Sequence, residues 1–280
     1  MSIEETAISF RCHDDWLYGV VSRPDVPCRR GVLIVVGGPQ YRAGSHRQFT
    51  LLARHLAQQG VAAMRFDYRG MGDSQGEARD FESVDDDLRA AIDAFMEAQP
   101  GMHEVVLWGL CDAASAATMY AASDPRVTGL VLLNPWVRTA DGLARTTLKH
   151  YYLDRLRDRT FWQQLLSGRF SYSRSLKSIA RLAQTAFGGR NAQPDTAMSL
   201  PERMHAGMRA FEGRVMVIVS GADLTGREFC DMTAATPKWK RLLDAPTVLQ
   251  RQLNGADHTF SRRVWRDQVA DWTCDWMRSW

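Results

Sequence analysis

The amino-acid sequence predicts an α/β fold built on an eight-stranded, mostly parallel sheet, and three observations carry this prediction. Segments with strand character alternate with segments of helical periodicity, and no internal repeat interrupts them. Several strand segments, such as VLIVV and VMVIV, are apolar throughout, as strands covered on both faces are. The composition of the 280 residues, 45% hydrophobic and 24% charged, is that of a globular protein and excludes disordered and fibrous classes.

Eight segments have strand character. The first two, residues 5–11 and 16–22, alternate apolar and polar residues, which is typical of half-buried antiparallel strands. The other six are residues 31–36, 61–66, 104–108, 128–133, 214–219 and 248–253. Helical periodicity is found at residues 47–59, 84–98, 113–123 and 262–277. Because strands joined through helices form right-handed crossovers, we expect helices on both faces of a mostly parallel sheet.

The stretch from residue 135 to residue 213 breaks this alternation. It contains no convincing buried strand, but it has amphipathic helical patterns such as SRSLKSIARLAQTAF. We therefore predict a helical cap, residues 135–213, inserted after the sixth strand of a core domain formed by residues 1–134 and 214–280. Residues 136–210 hold thirteen Lys or Arg against five Asp or Glu, although the net charge of the chain is only +3. This basic segment either attracts an anionic ligand or forms a solvated surface.

Composition and motifs exclude several other classes. No apolar run is long enough to span a membrane, and the start MSIEETAISF lacks the basic and apolar parts of a secretory signal. Five cysteines without CxxC spacing argue against disulfides and zinc and for a reducing, cytoplasmic compartment. No G-x-G-x-x-G or Walker motif is present, and the basic residues are scattered, so we expect no cofactor, no metal and no nucleic-acid partner.

The segment VVLWGLCDAASAATMYAA carries the most chemical information. A buried strand ends at Trp108, a G-x-C-x-A turn follows, and a helix of small residues begins at once. A nucleophile elbow has this pattern, with the reactive side chain on a strained turn between small residues, here Gly109 and Ala113. We predict that Cys111 is the nucleophile, because a helix N-terminus favours the thiolate. A cysteine that only packs in the core is the alternative.

Two later segments supply partners for Cys111. Asp223 follows the apolar strand RVMVIVS, and His258 lies between the last strand and the terminal helix. The order nucleophile, acid, histidine suits such an elbow, so we predict His258 as the general base and Asp223 as the residue that orients its ring. Asp257 and Asp231 are weaker candidates for the acid.

The loop after the third strand is predicted to complete the site. An oxyanion hole needs two backbone N–H donors, which we assign to Asp112, directly after the nucleophile, and to Gly38 in this loop. Pro39 has no N–H to donate, and Gln40 is a reserve donor. The predicted substrate contacts of the loop are Gln40, Tyr41, Arg42 and His46.

With these residues, the chain resembles the α/β-hydrolase superfamily over nearly its whole length, including RFDYRGMGDS at residues 65–74. More narrowly, GGPQYRAGSHRQF, GLCDAAS and SGADLTGREF are similar to the exosortase A system-associated hydrolases, type one. That resemblance implies an α/β-hydrolase fold and a link to protein sorting and exopolysaccharide synthesis in Gram-negative bacteria. The chain departs from the superfamily at Val36, where a histidine is common, at Cys111, where serine is usual, and at Asp112. The charge of Asp112 disfavours a thiolate at Cys111, against the effect of the helix dipole.

These observations together predict an acyl hydrolase of the esterase or thioesterase type with an acyl-Cys111 intermediate. The expected substrate is a small acyl compound, carried on an anionic carrier such as coenzyme A or acyl carrier protein. Two alternatives stay open. An acyltransferase would pass the same acyl group to an alcohol, a sugar hydroxyl or an amine, and a non-catalytic binding protein would use Cys111 only for packing.

Overall fold

Eight strands are present in the computed structural model, which describes residues 3–38, 40–137 and 198–280 of the chain. They are β1 (Ile3–Cys12), β2 (Asp15–Pro24), β3 (Arg30–Val35), β4 (Ala63–Asp67), β5 (Glu104–Leu110), β6 (Val127–Leu133), β7 (Arg214–Ser220) and β8 (Val248–Leu253). Hydrogen bonds join them into one sheet in the order β1-β2-β4-β3-β5-β6-β7-β8. The predicted eight-stranded sheet is therefore confirmed.

The strand directions also agree with the hydrophobic pattern. β1 pairs antiparallel with β2, and β2 pairs antiparallel with β4, whereas the remaining neighbours are parallel. β1 alternates exposed and half-buried residues, as its sequence predicts. Leu33, Val106 and Leu130, in the central strands β3, β5 and β6, have no exposed surface at all. Strands buried to this degree require cover on both faces of the sheet.

Seven α-helices accompany the sheet within the described residues. They are α1 (Gln48–Gln58), α2 (Asp85–Ala98), α3 (Asp112–Tyr120), α4 (Leu200–Ala210), α5 (Leu224–Ala235), α6 (Pro237–Leu243) and α7 (Arg263–Arg278). α1, α2, α3 and α7 coincide with the four predicted helical segments to within a few residues. α5 and α6 lie outside those segments. Their beginnings are marked by the Asp223 cap and by Pro237 rather than by a long apolar repeat.

The predicted cap lies mostly outside the described residues, because residues 138–197 are not among them. The end of the predicted cap forms α4, which packs against α3. Gly207 allows this close approach, since a Cβ atom at this position would lie 2.3 Å from the carbonyl oxygen of Thr118. α4 therefore borders the sheet domain, and the rest of the cap boundary stays a prediction. Among the described helices, none combines the length and the apolar character that crossing a bilayer requires.

Candidate active site

The turn between β5 and α3 holds Cys111 in a conformation that L-residues rarely adopt. Its φ is 65° and its ψ is −124°, in the positive-φ half of the backbone map. Its amide donates a hydrogen bond to the carbonyl of Leu133 (2.8 Å), and its own carbonyl accepts one from Ala114 (3.1 Å). These bonds hold the strained residue between the end of β6 and the first turn of α3. Strain of this kind is typical of functional sites.

The small residues around Cys111 have the steric role that the sequence predicts. A Cβ atom at Gly109 would lie 2.6 Å from the carbonyl carbon of Ala113, so a larger residue would push α3 away from β5. Ser115 is fully buried, and its hydroxyl donates to the carbonyl of Trp136 (2.6 Å). That serine therefore has a structural bond of its own one turn after the elbow.

His258 and Asp223 meet beside the elbow. The Nδ1 atom of His258 lies 2.9 Å from Oδ2 of Asp223, and the ring also interacts with the side chain of Cys111. The interaction with Asp223, and after it the one with Cys111, raises the pKa of His258 to about 10, against the effect of burial. The predicted nucleophile, base and acid are thus brought into one chain of contacts.

Asp223 is also the N-cap residue of α5. Its Oδ2 atom also accepts a hydrogen bond from the amide of Gly226 (2.9 Å), which satisfies a free N–H of the first turn. Burial alone would raise the pKa of Asp223, but the bonds from His258 and Gly226 lower it below its usual value. The competing acid, Asp257, instead accepts bonds from the amide (2.9 Å) and hydroxyl of Ser261. Asp231 lies within α5.

Asn134 is a site residue that the sequence analysis missed. It directly follows β6, has no exposed surface and adopts a positive φ of 43°. Its side-chain amide donates to the hydroxyl of Ser220 (2.8 Å) and to the backbone carbonyl of His258 (3.0 Å), and its oxygen accepts from the Ser220 amide (2.8 Å). It therefore ties the ends of β6 and β7 to the histidine loop. Its place directly after a buried strand, before Pro135, is the signal that could have identified it.

The predicted oxyanion loop approaches the elbow through Gly38. The Gly38 amide donates a hydrogen bond to Oδ2 of Asp112 (2.9 Å), while Oδ1 accepts one from the amide of Ala113 (2.9 Å). Burial raises the pKa of Asp112 above its usual value, although these backbone bonds act in the opposite direction. The two residues predicted to form the hole are in contact, with the side chain of one bound to the amide of the other.

Three of the four predicted substrate contacts already interact with other groups of the protein. The Arg42 guanidinium pairs with Asp67 and with Asp73 (2.6 Å), and its backbone amide donates to Asp67 (2.6 Å). Gln40 accepts a bond from the Ser45 amide (3.2 Å). Tyr41 is half exposed, with the guanidinium of Arg42 5.2 Å from its ring centre, and His46 has a positive φ of 52°. A role of Gln40, Tyr41, Arg42 and His46 in binding substrate stays a prediction.

The structure brings the predicted nucleophile, base and orienting carboxylate together at the carboxyl edge of the parallel strands. This edge is where ligands bind in α/β sheets of the open type. Within residues 3–38, 40–137 and 198–280, no group of three or more His, Cys, Asp or Glu side chains is arranged to hold a metal ion.

Comparison with known proteins places this geometry in a family. Solved structures with the same fold include the esterase Pf2001 of Pyrococcus furiosus, with a TM-score of 0.66 and 14% identity over 99% of this chain and 93% of that one. The dienelactone hydrolase of Anabaena variabilis has a TM-score of 0.63 and 15% identity over 99% and 98% of the two chains. XC6422 of Xanthomonas campestris, described as a serine hydrolase without lid, has a TM-score of 0.57 and 16% identity over 98% and 95%.

These structural similarities, at such low identity, establish the shared fold. No curated protein sequence matches the chain. The sequence profile of one hydrolase family, described as serine aminopeptidase, S33, matches residues 27–246, well over half of the chain, and confirms the predicted superfamily and hydrolase class. The chain therefore belongs to the serine aminopeptidase S33 family of α/β hydrolases, with a cysteine at its nucleophile elbow.

Proposed function

We propose that this hydrolase cleaves ester or thioester bonds through an acyl-Cys111 intermediate. Membership in a hydrolase family supports bond cleavage by water. The esterase and the dienelactone hydrolase among the proteins of similar structure support an ester as the bond. The single observation that carries the proposal is the contact chain from Cys111, on its positive-φ turn, through His258 to Asp223.

The geometry suits a two-step reaction. The Cys111 sulfur, as thiolate beside the His258 imidazolium, forms a bond to the acyl carbon, and the C=O electron pair moves onto oxygen. The pair returns when the tetrahedral species collapses, the bond to the leaving alcohol or thiol breaks, and His258 donates its proton to that group. His258 then accepts a proton from water as the water oxygen bonds to the acyl carbon. The C–S bond breaks, the acid is released, and the Cys111 thiolate and protonated His258 are restored. Asp223 keeps the ring in the productive orientation throughout.

The proposed substrate is a small acyl compound, attached to an anionic carrier such as coenzyme A or acyl carrier protein. The basic composition of residues 136–210 supports this charge preference, and most of that segment lies outside the described residues. The three motifs around Gly38, Cys111 and Asp223 support the finer proposal of a link to exosortase-associated systems.

Intact-protein mass spectrometry tests the proposal directly. The chain is incubated with p-nitrophenyl acetate and with acetyl-coenzyme A, and we expect one acetyl group per chain. Cys111→Ala should abolish this adduct. Cys230→Ala is the matched control, because Cys230 is an exposed cysteine on α5 and its removal should leave the adduct in place. An adduct that survives in Cys111→Ala, or none in the wild type, contradicts the proposal.

The same assay separates the rival functions. An acceptor panel of alcohols, sugars and amines that speeds turnover and yields a new acylated product would establish an acyltransferase instead. A Cys111 that resists both acylation and iodoacetamide would establish a binding protein.

Because the family description refers to aminopeptidases, aminoacyl p-nitroanilides should be run beside the esters. We expect the esters to react faster, since an amide nitrogen is the poorer leaving group for a thiolate.

A further inference from the structure

The Asp112 carboxylate occupies a nest of backbone donors at the start of α3. Its two oxygens accept bonds from the amides of Gly38 and Ala113, at 2.9 Å each. One of these two amides, that of Gly38, is predicted to hold the substrate oxyanion. This donor thus already has an anionic partner from within the chain.

The chain makes room for the carboxylate at this position. A Cβ atom on Gly37 would lie 2.2 Å from Oδ1 of Asp112, so any side chain at Gly37 would collide with the carboxylate. Asp112 itself is only partly buried, and it lies directly after the nucleophile. The space beside Gly37 therefore accommodates the Asp112 carboxylate only because residue 37 has no side chain, and this space lies next to the Cys111 sulfur.

One hole cannot serve two anions at once. The acyl oxygen gains negative charge as the sulfur attacks, and it then needs the N–H groups of Gly38 and Asp112. A carboxylate bound to Gly38 uses one of these donors, and its own charge repels the developing oxyanion.

We propose that the Asp112 carboxylate is a built-in competitor of the substrate for the oxyanion hole, so that acylation of Cys111 requires this side chain to leave the Gly38 amide. The inference rests on the proposed function, because only an acyl transfer builds charge at this position. Displacement of the carboxylate costs free energy, which a substrate recovers through contacts elsewhere. Asp112 thereby selects against weakly held acyl groups.

Two reactions of the same sulfur make the inference testable. Iodoacetamide alkylates Cys111 when the sulfur attacks the CH₂ carbon and iodide leaves, and no oxyanion forms. p-Nitrophenyl acetate acylates the same sulfur through a tetrahedral oxyanion, and p-nitrophenolate leaves. The ratio of acylation rate to alkylation rate therefore reports on the oxyanion hole and cancels changes in the reactivity of the thiol.

The expected result is a higher ratio once the competitor is removed. Asp112→Ala should raise it about tenfold or more, since one oxyanion donor is worth on the order of 10²–10³ in rate. Asp112→Asn should raise it less, because a neutral amide oxygen still accepts from Gly38. Asp257→Asn is the matched control: it removes a carboxylate next to His258 that binds Ser261 and not Gly38, and its ratio should stay at the wild-type value.

An unchanged or lower ratio in both Asp112 variants overturns the inference and makes the carboxylate a support of the loop. If Asp112→Ala does not fold, Asp112→Asn decides, because it preserves the shape of the side chain and an acceptor for Gly38. A wild type that is acylated at Cys111, with no gain in either variant, refutes the competitor and leaves the proposed function intact. Failure of every variant to be acylated, with alkylation retained, refutes the proposed function as well.

Discussion

At the amino ends of β3 and β5, Arg30 and Glu104 form a hydrogen-bonded ion pair. At the carboxyl ends of β5 and β6, by contrast, Cys111 and Asn134 have positive φ angles. The guanidinium of Arg30 donates twice to Oε2 of Glu104, at 2.7 and 2.5 Å, and lies 3.5 Å from the ring centre of Trp280. Burial would raise the pKa of Glu104, but the bond from Arg30 lowers it.

The carboxyl edge has the opposite character. Cys111 and Asn134 have unfavourable backbone angles, and so does Phe260, two residues after His258. Three buried or half-buried polar groups there, Asp112, Asp223 and His258, have pKa values shifted by their surroundings. One edge of the sheet is thus held by a hydrogen-bonded ion pair, whereas the other has strained backbone angles and shifted pKa values at the residues predicted to be catalytic.

Of the substitutions considered, His258→Ala should give the largest difference in acylation rate between variants at the two edges of the sheet. We expect the rate of Cys111 acylation by p-nitrophenyl acetate to fall on the order of 10⁴- to 10⁶-fold, because base and proton donor are lost together. Urea unfolding should change little above about pH 10, where His258 no longer contributes through its raised pKa. His103→Ala is the control, since His103 is exposed directly before β5 at the other edge. Equal losses in the two variants would show that the edges do not differ in function.

Asp223→Asn should have the next largest effect. The acylation rate should fall on the order of 10²- to 10⁴-fold, because the His258 ring loses the carboxylate that orients it and stabilises its charge. Asparagine is also a good N-cap, so α5 should keep its stability. Single-turnover kinetics and thermal unfolding check both expectations, with Asp257→Asn as the control. A normal rate in Asp223→Asn would assign the orienting role to another group.

Asn134→Ala should affect rate and stability together, because this residue links the strand ends to the histidine loop. Loss of its side chain leaves the buried amide of Ser220 without a partner, which costs about 1–3 kcal/mol of unfolding free energy. The His258 carbonyl also loses its hydrogen bond, so the histidine loop should become looser. We expect the acylation rate to fall about tenfold, because small misplacements of catalytic groups slow a reaction. If Asn134→Ala has wild-type stability and wild-type acylation kinetics, Asn134 has no role in supporting the site.

The raised pKa of His258 predicts a pH-dependent stability contribution from the carboxyl edge. The pKa rises from 6.5 to about 10 on folding, so the contribution is fully present below pH 6.5 and is lost as the pH rises through 10. The free energy of unfolding of the wild type should therefore approach that of His258→Ala across this interval. Urea titrations at several pH values measure the difference, and a constant difference would disprove the shift.

Glu104→Gln should give the smallest effect on chemistry. Its carboxylate is largely buried against Arg30, so we expect a loss of about 1–3 kcal/mol in unfolding free energy, between the values for exposed and buried pairs. The acylation rate of the folded protein should not change. Asp244→Asn, in the exposed i,i+4 pair with Lys240, is the control and should cost about 0.3–0.5 kcal/mol. A lower acylation rate in folded Glu104→Gln would show that the amino edge of the sheet influences the chemistry at the carboxyl edge.

The sequence analysis succeeded where the signal is local. The apolar run before Cys111 and the small residues Gly109 and Ala113 predict the elbow, because a strand, a tight turn and a helix leave their own composition in a short segment. It missed α6 because seven residues, the first of them a proline, are too few for a periodic pattern. It missed Asn134 because the partners of that residue, Ser220 and His258, are distant in sequence.

The sequence by itself determined the strand pattern, the position of Cys111 on the turn after β5, and the loops after later strands in which Asp223 and His258 lie, since each can be recognised from neighbouring residues. Only the tertiary structure decided that the acid beside His258 is Asp223, and that the Asp112 carboxylate lies on the Gly38 amide. The physical reason is that hydrogen bonds between residues far apart in the chain depend on how the loops of separate strands meet. No local pattern of side chains specifies that meeting.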